Sequence, residues 1–179
     1  MNRSQQNLRL SPLTQKVAFT GMLGALALAL SAMEMLIPPL PMLPPGAKPG
    51  LSNLATMYAA YSAGLGPALS VALLKGLFAG LTRGGTAMLM SLAGGLASTL
   101  VTAALLRFCR CFGMVGIGVA GALTHNFAQL GVAALLTTPA VAAYLPWLLL
   151  LGVLTGMLTG FLLKWVLPLL EKLKQRLIC

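Results

Sequence analysis

Apolar runs long enough to cross a bilayer follow one another along most of this chain, and no other feature constrains its fold so tightly. A hydrocarbon core takes about 20 apolar residues in helical form. Within it every backbone amide must be satisfied inside the protein. The runs fall at approximately 16–36, 51–65, 67–82, 86–107, 113–137 and 141–168. They predict an all-α integral membrane protein, a bundle of six transmembrane helices spanning 16–168. Only 8% of the residues are charged, against about 25% in a soluble domain. The second and third runs are short, about 21–24 Å at 1.5 Å per residue. Only the "GLGP" break at Gly64 to Pro67 separates them, so a five-span arrangement with one re-entrant segment is the alternative. The basic amino terminus leads into an apolar run too long for a secretion-signal core, and the first run is expected to be retained as a span.

Charge orients the bundle. Arg3, Arg9 and Lys16 precede the first run, Arg107 and Arg110 lie between the fourth and fifth, and Lys164, Lys172, Lys174 and Arg176 close the chain. Lys48 and Arg83 stand alone on the opposite face, with Lys75 inside the third run. The positive-inside rule then puts both termini in the cytoplasm. Residues 1–15 form a cytoplasmic lead, and the basic tail 169–179 lies along the headgroups. A net charge of +10 would suit nucleic acid, but its placement at chain ends and turns belongs to a membrane protein. Cys109, Cys111 and Cys179 lack the neighbouring ligands of a metal site and read as reduced thiols. Neither a metal nor another cofactor is expected.

Between the first two runs, "IPPLPMLPPGAKPG" holds six prolines. Proline fixes φ and has no amide hydrogen, so this segment is not a regular helix. It reads as a Pro-rich outer loop capping the bundle, or as a stiff linker.

Polar groups in an apolar bundle need partners or a cavity. His125 is the single histidine, with Asn126 beside it and Gln129 one turn on, on the same helix face. Glu34 approaches the outer end of its run, and Lys48 and Arg83 lie in outer connections. Directly after the Pro-rich stretch, "GLSNLATMYAAY" supplies Ser52, Asn53, Thr56 and Tyr58; Asn53 and Thr56 share a face and Tyr58 does not. These residues point to a ligand site in the outer half of the bundle, made of His125, Asn126, Gln129, Asn53, Lys48, Arg83 and Glu34. A helix start there, with nearby cations, favours a ligand with an anionic part. The alternative for His125 is a hydrogen bond tying two helices together.

Small residues recur at helical spacing. Gly152, Gly156 and Gly160, and the "SLAGGLAS" segment, are expected to pack helices within the bundle. Gly21, Ala25 and Ala29 form a similar stripe on the first helix, suited either to the bundle or to a partner protein.

The segments "PPGAKPGLSNLATMYA", "SLAGGLAS" and "GVAGALTHNFAQLGVAALL" resemble the bacterial Gx transporter family, also called heptaprenyl diphosphate synthase component I, over roughly 15–165. That family is similar to the substrate-binding S components of energy-coupling factor (ECF) importers. The resemblance implies a six-helix membrane fold with a ligand pocket near the outer face of a bacterial cell membrane. It also implies a first-helix surface, matching Gly21, Ala25 and Ala29, that docks a coupling module made of a transmembrane protein and ATPases. A prenyl diphosphate synthase holds diphosphate through magnesium on aspartate-rich motifs, and this chain has no aspartate. Nor has it a G-x-x-x-x-G-K-[ST] loop for ATP. It is expected to be no enzyme by itself.

The leading expectation is therefore a substrate-capture subunit of an ECF-type importer for a vitamin- or cofactor-like molecule. The second is a membrane subunit serving quinone, flavin or isoprenoid metabolism. The third is a scaffold whose polar residues only tie helices together.

Overall fold

The computed structural model describes residues 11–36, 50–109 and 112–178, with side chains as far as Lys172. All regular structure among these residues is helical: α1 (Pro12–Met35), α2 (Asn53–Ser62), α3 (Leu65–Arg83), α4 (Gly85–Phe108), α5 (Met114–Leu136), a 3₁₀ turn (Pro139–Tyr144) and α6 (Leu145–Ile178). Five helices are long and apolar enough to cross a membrane. The exception is α2, whose ten residues rise only about 15 Å.

The order of contacts fixes the helix directions. Between α1 and α3 a groove of about 430 Å³ is lined by Leu13 to Gly21 on one side and Pro67 to Leu74 on the other. A Cβ placed on Gly24 would lie 3.0 Å from the Leu74 side chain, so α1 and α3 run parallel. The chain must therefore return between them, and α2 makes the return. It runs antiparallel to α1, with Ser52 beside Glu34 and Tyr58 edge-on to Phe19 at 6.3 Å. From α3 onward neighbours alternate in direction: Gly76 meets Leu92 and Gly80 meets Met88, then Gly121 meets Thr102, then Gly118 meets Gly156. The start of α1 and the far end of α6 consequently share one end of the bundle, along with Arg107.

Local sequence sets the breaks. Ser11 caps α1 by accepting the Thr14 amide at 3.2 Å, with Pro12 at the first helical position. Gly64 and Gly84 take φ values of 90° and 91°, a region that side chains with a Cβ avoid. They allow α2 to turn into α3, and α3 into α4, within one or two residues. The break expected at Gly64 lies there, while α2 is shorter than the run 51–65 by several residues at its ends. The carboxyl-terminal run continues as helix α6 through Pro168.

The core is built from small side chains. Ala55, Ala59, Ala68 and Val71 are buried, and Tyr58 is the bulkiest fully buried side chain of the same cluster. Between α5 and α6 the backbones almost touch: a Cβ on Gly156 would lie 2.5 Å from Val119 Cα, and one on Gly160 would lie 2.6 Å from Val115 Cα. The Gly152–Gly156–Gly160 stripe is thus a seam inside the bundle, as its spacing predicts. The α1 stripe does the opposite. Gly21, Ala25 and Ala29 are all exposed, and a Cβ on Gly21 would meet nothing within 4 Å. Outward faces elsewhere carry large apolar residues such as Leu73, Leu77, Leu81 and Leu135, the composition that lipid contact requires.

Candidate ligand site

Four helices line a small cavity whose wall mixes hydroxyl-bearing and apolar residues. Its wall includes Asn53 and Thr56 of α2, Ser98, Thr99 and Thr102 of α4, His125 and Asn126 of α5, and Thr155 and Thr159 of α6. The cavity measures about 20 Å³, room for one water molecule. Glycines bring these walls together. A Cβ on Gly94 of α4 would lie 2.8 Å from His125 Nδ1 and 2.9 Å from Gln129 Cγ. Both side chains therefore lie over Gly94, as residues four apart on one helix should.

The polar residues have distinct attachments. Lys75 is buried in α3, and its ammonium donates to Asn53 Oδ1 at 2.6 Å. That bond holds the start of α2 level with the middle of α3. Asn126 Nδ2 donates to the Leu148 carbonyl at 2.9 Å, fastening α5 to the first turn of α6. Gln129 Oε1 is buried without a hydrogen-bond partner among the described residues. His125 Nδ1 is buried against the Gly94 backbone, toward which His125 has a backbone contact but no well-aligned hydrogen bond. Each of the two residues is 6% exposed. A buried polar atom without a partner costs about 1–3 kcal/mol, which makes the Gln129 amide and the imidazole beside it the part of the α4–α5 contact most in need of a further partner.

The seven residues expected to form the site are thus distributed unevenly. His125, Asn126 and Asn53 line the cavity. Gln129 lies one turn above His125 against α4. Glu34 stands outside the wall: it is buried and accepts the Ser52 amide at 2.9 Å, with the Ser52 hydroxyl at 3.5 Å. That contact pins the end of α1 to the start of α2, and Arg83, at the end of α3, lies within electrostatic reach of the same carboxylate. Lys48 and the Pro-rich outer loop lie outside the described residues. Of the two cations expected near an anionic ligand, Lys48 is outside the described residues and Arg83 is not in the wall but within electrostatic reach of Glu34. The charged group next to the wall is Lys75, which reaches it through Asn53.

Sequence reasoning missed the hydroxyls of α4 and α6. Their signal was present: Ser98, Thr99 and Thr102 follow i, i+1, i+4 spacing, and Thr155 and Thr159 are four apart. Threonine is common enough in membrane helices that spacing alone does not single these out.

Residues 23–166 match the family described as heptaprenyl diphosphate synthase component I. The chain belongs to that family. In this member of the heptaprenyl diphosphate synthase component I family, every residue lining the cavity falls inside the matched region. No match was found among curated proteins or among solved structures. The family's name includes a synthase, yet the two carboxylates of this member stand apart. Glu34 holds Ser52, and Glu171 is within electrostatic reach of Tyr58. Among the described residues no three His, Cys, Asp or Glu side chains come together as a metal site would need.

Proposed function

We propose that this protein is the ligand-capturing membrane subunit of an ECF-type importer, taking up a small vitamin- or cofactor-like molecule across a bacterial cell membrane with both of its termini cytoplasmic. The observation that carries this reading is the convergence of α2, α4, α5 and α6 on one cavity with a hydroxyl-bearing wall in an otherwise apolar bundle. Intramembrane polar groups that share a cavity belong to ligand or ion pathways far more often than to lipid-facing surfaces. A merely structural role would satisfy each polar group within the helix ties, as Asn126 is satisfied by Leu148. Gln129 Oε1 is not satisfied in that way, and His125 has only a backbone contact with Gly94.

Two further features fit. The exposed Gly21–Ala25–Ala29 stripe meets the groove between α1 and α3 at Gly21 and offers a smooth surface for a partner helix. A transmembrane coupling protein, driven by ATPases, is the partner this reading assigns to it. In addition, α2 is bracketed by Gly50 and Gly64, both at positive φ, so a short helix in the cavity wall has a pivot at each end. At about 20 Å³ the cavity is contracted, and a ligand is admitted when α2 draws back from α4 and α5. The hydroxyl-rich wall suits a polar molecule better than an isoprenoid tail, which places the isoprenoid-linked reading second.

The test is purification from native membranes followed by an uptake assay. The reading expects a transmembrane coupling protein and ATPases to co-purify, and ATP-dependent uptake to need His125. A folded protein that copurifies with no ATPase and supports no uptake would contradict it.

A further inference from the structure

The cavity wall has a direction to its hydrogen bonding. Thr99 Oγ1 lies 2.7 Å from the Gly95 carbonyl oxygen, and Ser98 Oγ lies 3.1 Å from the same atom. Thr155 Oγ1 is 2.8 Å from Leu151 O, Thr159 Oγ1 is 3.1 Å from Gly156 O, and Thr56 Oγ1 is 2.9 Å from Asn53 O. A carbonyl oxygen only accepts, so the hydroxyl is the donor in all five bonds. Each hydroxyl has one hydrogen and two lone pairs. Its hydrogen is committed to its own helix, and lone pairs are what it has left for the cavity.

Donors on the same wall are fewer than its lone pairs; the Thr102 hydroxyl, which is not among these five bonds, is one of them. Lys75 occupies Asn53 Oδ1, which leaves the Asn53 amino group. Asn126 has one amino hydrogen on Leu148 O. A neutral imidazole has one N–H, so His125 adds a single donor at most. Gln129, one turn above the wall, brings a carbonyl oxygen without a partner among the described residues and an amino group with two hydrogens.

We propose that the ligand of this cavity is a neutral, donor-rich molecule, one with several O–H or N–H groups such as a polyol or an N–H-bearing heterocycle. The proposal rests on the reading of the cavity as a ligand site and names the class of molecule it takes. A carboxylate or phosphate brings only acceptors, and would set them against the lone pairs of five hydroxyls. A hydroxyl could turn its hydrogen toward such a ligand only by giving up its bond to the preceding helical turn. The wall thus selects against the anionic ligand that the outer cations of the sequence suggest.

The test uses the purified full-length protein in detergent micelles and saturation-transfer NMR with matched probes. Uracil is compared with 1,3-dimethyluracil, 2-pyridone with N-methyl-2-pyridone, and cis-1,2-cyclohexanediol with its dimethyl ether; benzoate and phenyl phosphate are the anionic probes. Thr99→Val and Thr155→Val keep the side-chain shape and remove an acceptor. His125→Ala and the milder His125→Gln report whether binding occurs at the cavity, with thermal unfolding as the check on folding. The expected result is binding of the unmethylated probes, several-fold to about tenfold tighter than their methylated partners, with the difference reduced in Thr99→Val. Equal binding of the methylated probes, or tighter binding of the anions, at a site sensitive to His125 would overturn the donor rule and leave the ligand site standing. Absence of binding by every probe, or binding indifferent to both His125 variants, would remove the ligand site and the donor rule together.

Discussion

Lys75 and Glu34 illustrate how single charges are placed in an apolar bundle. Each is almost fully buried, at 4% and 3% exposure, and each is fastened to the first residues of α2. Lys75 holds Asn53 through its side chain, and Glu34 holds Ser52 through its backbone amide. The short helix is thereby suspended between α1 and α3 at its amino end. Replacing Glu34 by alanine leaves the buried Ser52 amide without its acceptor, a loss of about 1–3 kcal/mol. Glu34→Gln retains a carbonyl oxygen and should keep most of that stability. Thermal unfolding of the two variants side by side checks the ordering. Lys75→Met, of similar length, removes the donor to Asn53 Oδ1. It should weaken ligand-induced stabilisation more than it lowers the unfolding temperature of the ligand-free protein, because Asn53 lines the cavity.

At the scale of elements, the α5–α6 seam and the α1 stripe use the same residue types for opposite ends. Gly156→Ala would drive a Cβ into the Val119 backbone, and backbone cannot yield as a flexible side chain can. About 1–3 kcal/mol of destabilisation is expected. Gly131→Ala, where a Cβ would meet nothing within 4 Å, should change stability by less than about 0.5 kcal/mol. Denaturation of the pair in one detergent distinguishes seam from surface. The seam was legible in the sequence because three glycines four apart on an apolar helix have few other uses. The long helices were legible too, since an apolar run of that length has one stable form in lipid. What spacing could not supply was the meeting of distant elements. Lys75 and Asn53 are joined across a turn, and the hydroxyls of α4 and α6 face each other only once the glycines have drawn α4, α5 and α6 together. Nor could composition reveal that α2 is a half-length helix, because its flanking residues are as apolar as the helix itself.

For the molecule as a whole, the order of helices sets one end apart. Lys16, Arg107 and Lys172 belong to the end where α1 begins and α6 finishes, and Arg83 belongs to the other. Trp147 and Trp165, both exposed on α6, are separated along the helix by about 27 Å, the spacing of two interfacial belts. Cysteines introduced at Ser11 and at Thr86 should therefore label from opposite sides of sealed vesicles, Ser11 from the cytoplasmic side. The exposed face of α1 gives a second expectation at this scale. Ala25→Leu should leave the unfolding temperature within a degree or two of wild type, since nothing in the bundle leans on that surface, and, under the proposed function, reduce co-purification of a coupling protein several-fold.

A shared cavity that binds a small molecule underlies every functional expectation above, and native mass spectrometry of the gently purified protein tests it most directly. A small molecule is expected to be retained in one-to-one ratio by the wild type and lost from His125→Gln and Thr99→Val variants that remain folded. A wild type that carries nothing under these conditions, or variants that retain the same molecule as firmly, would contradict it.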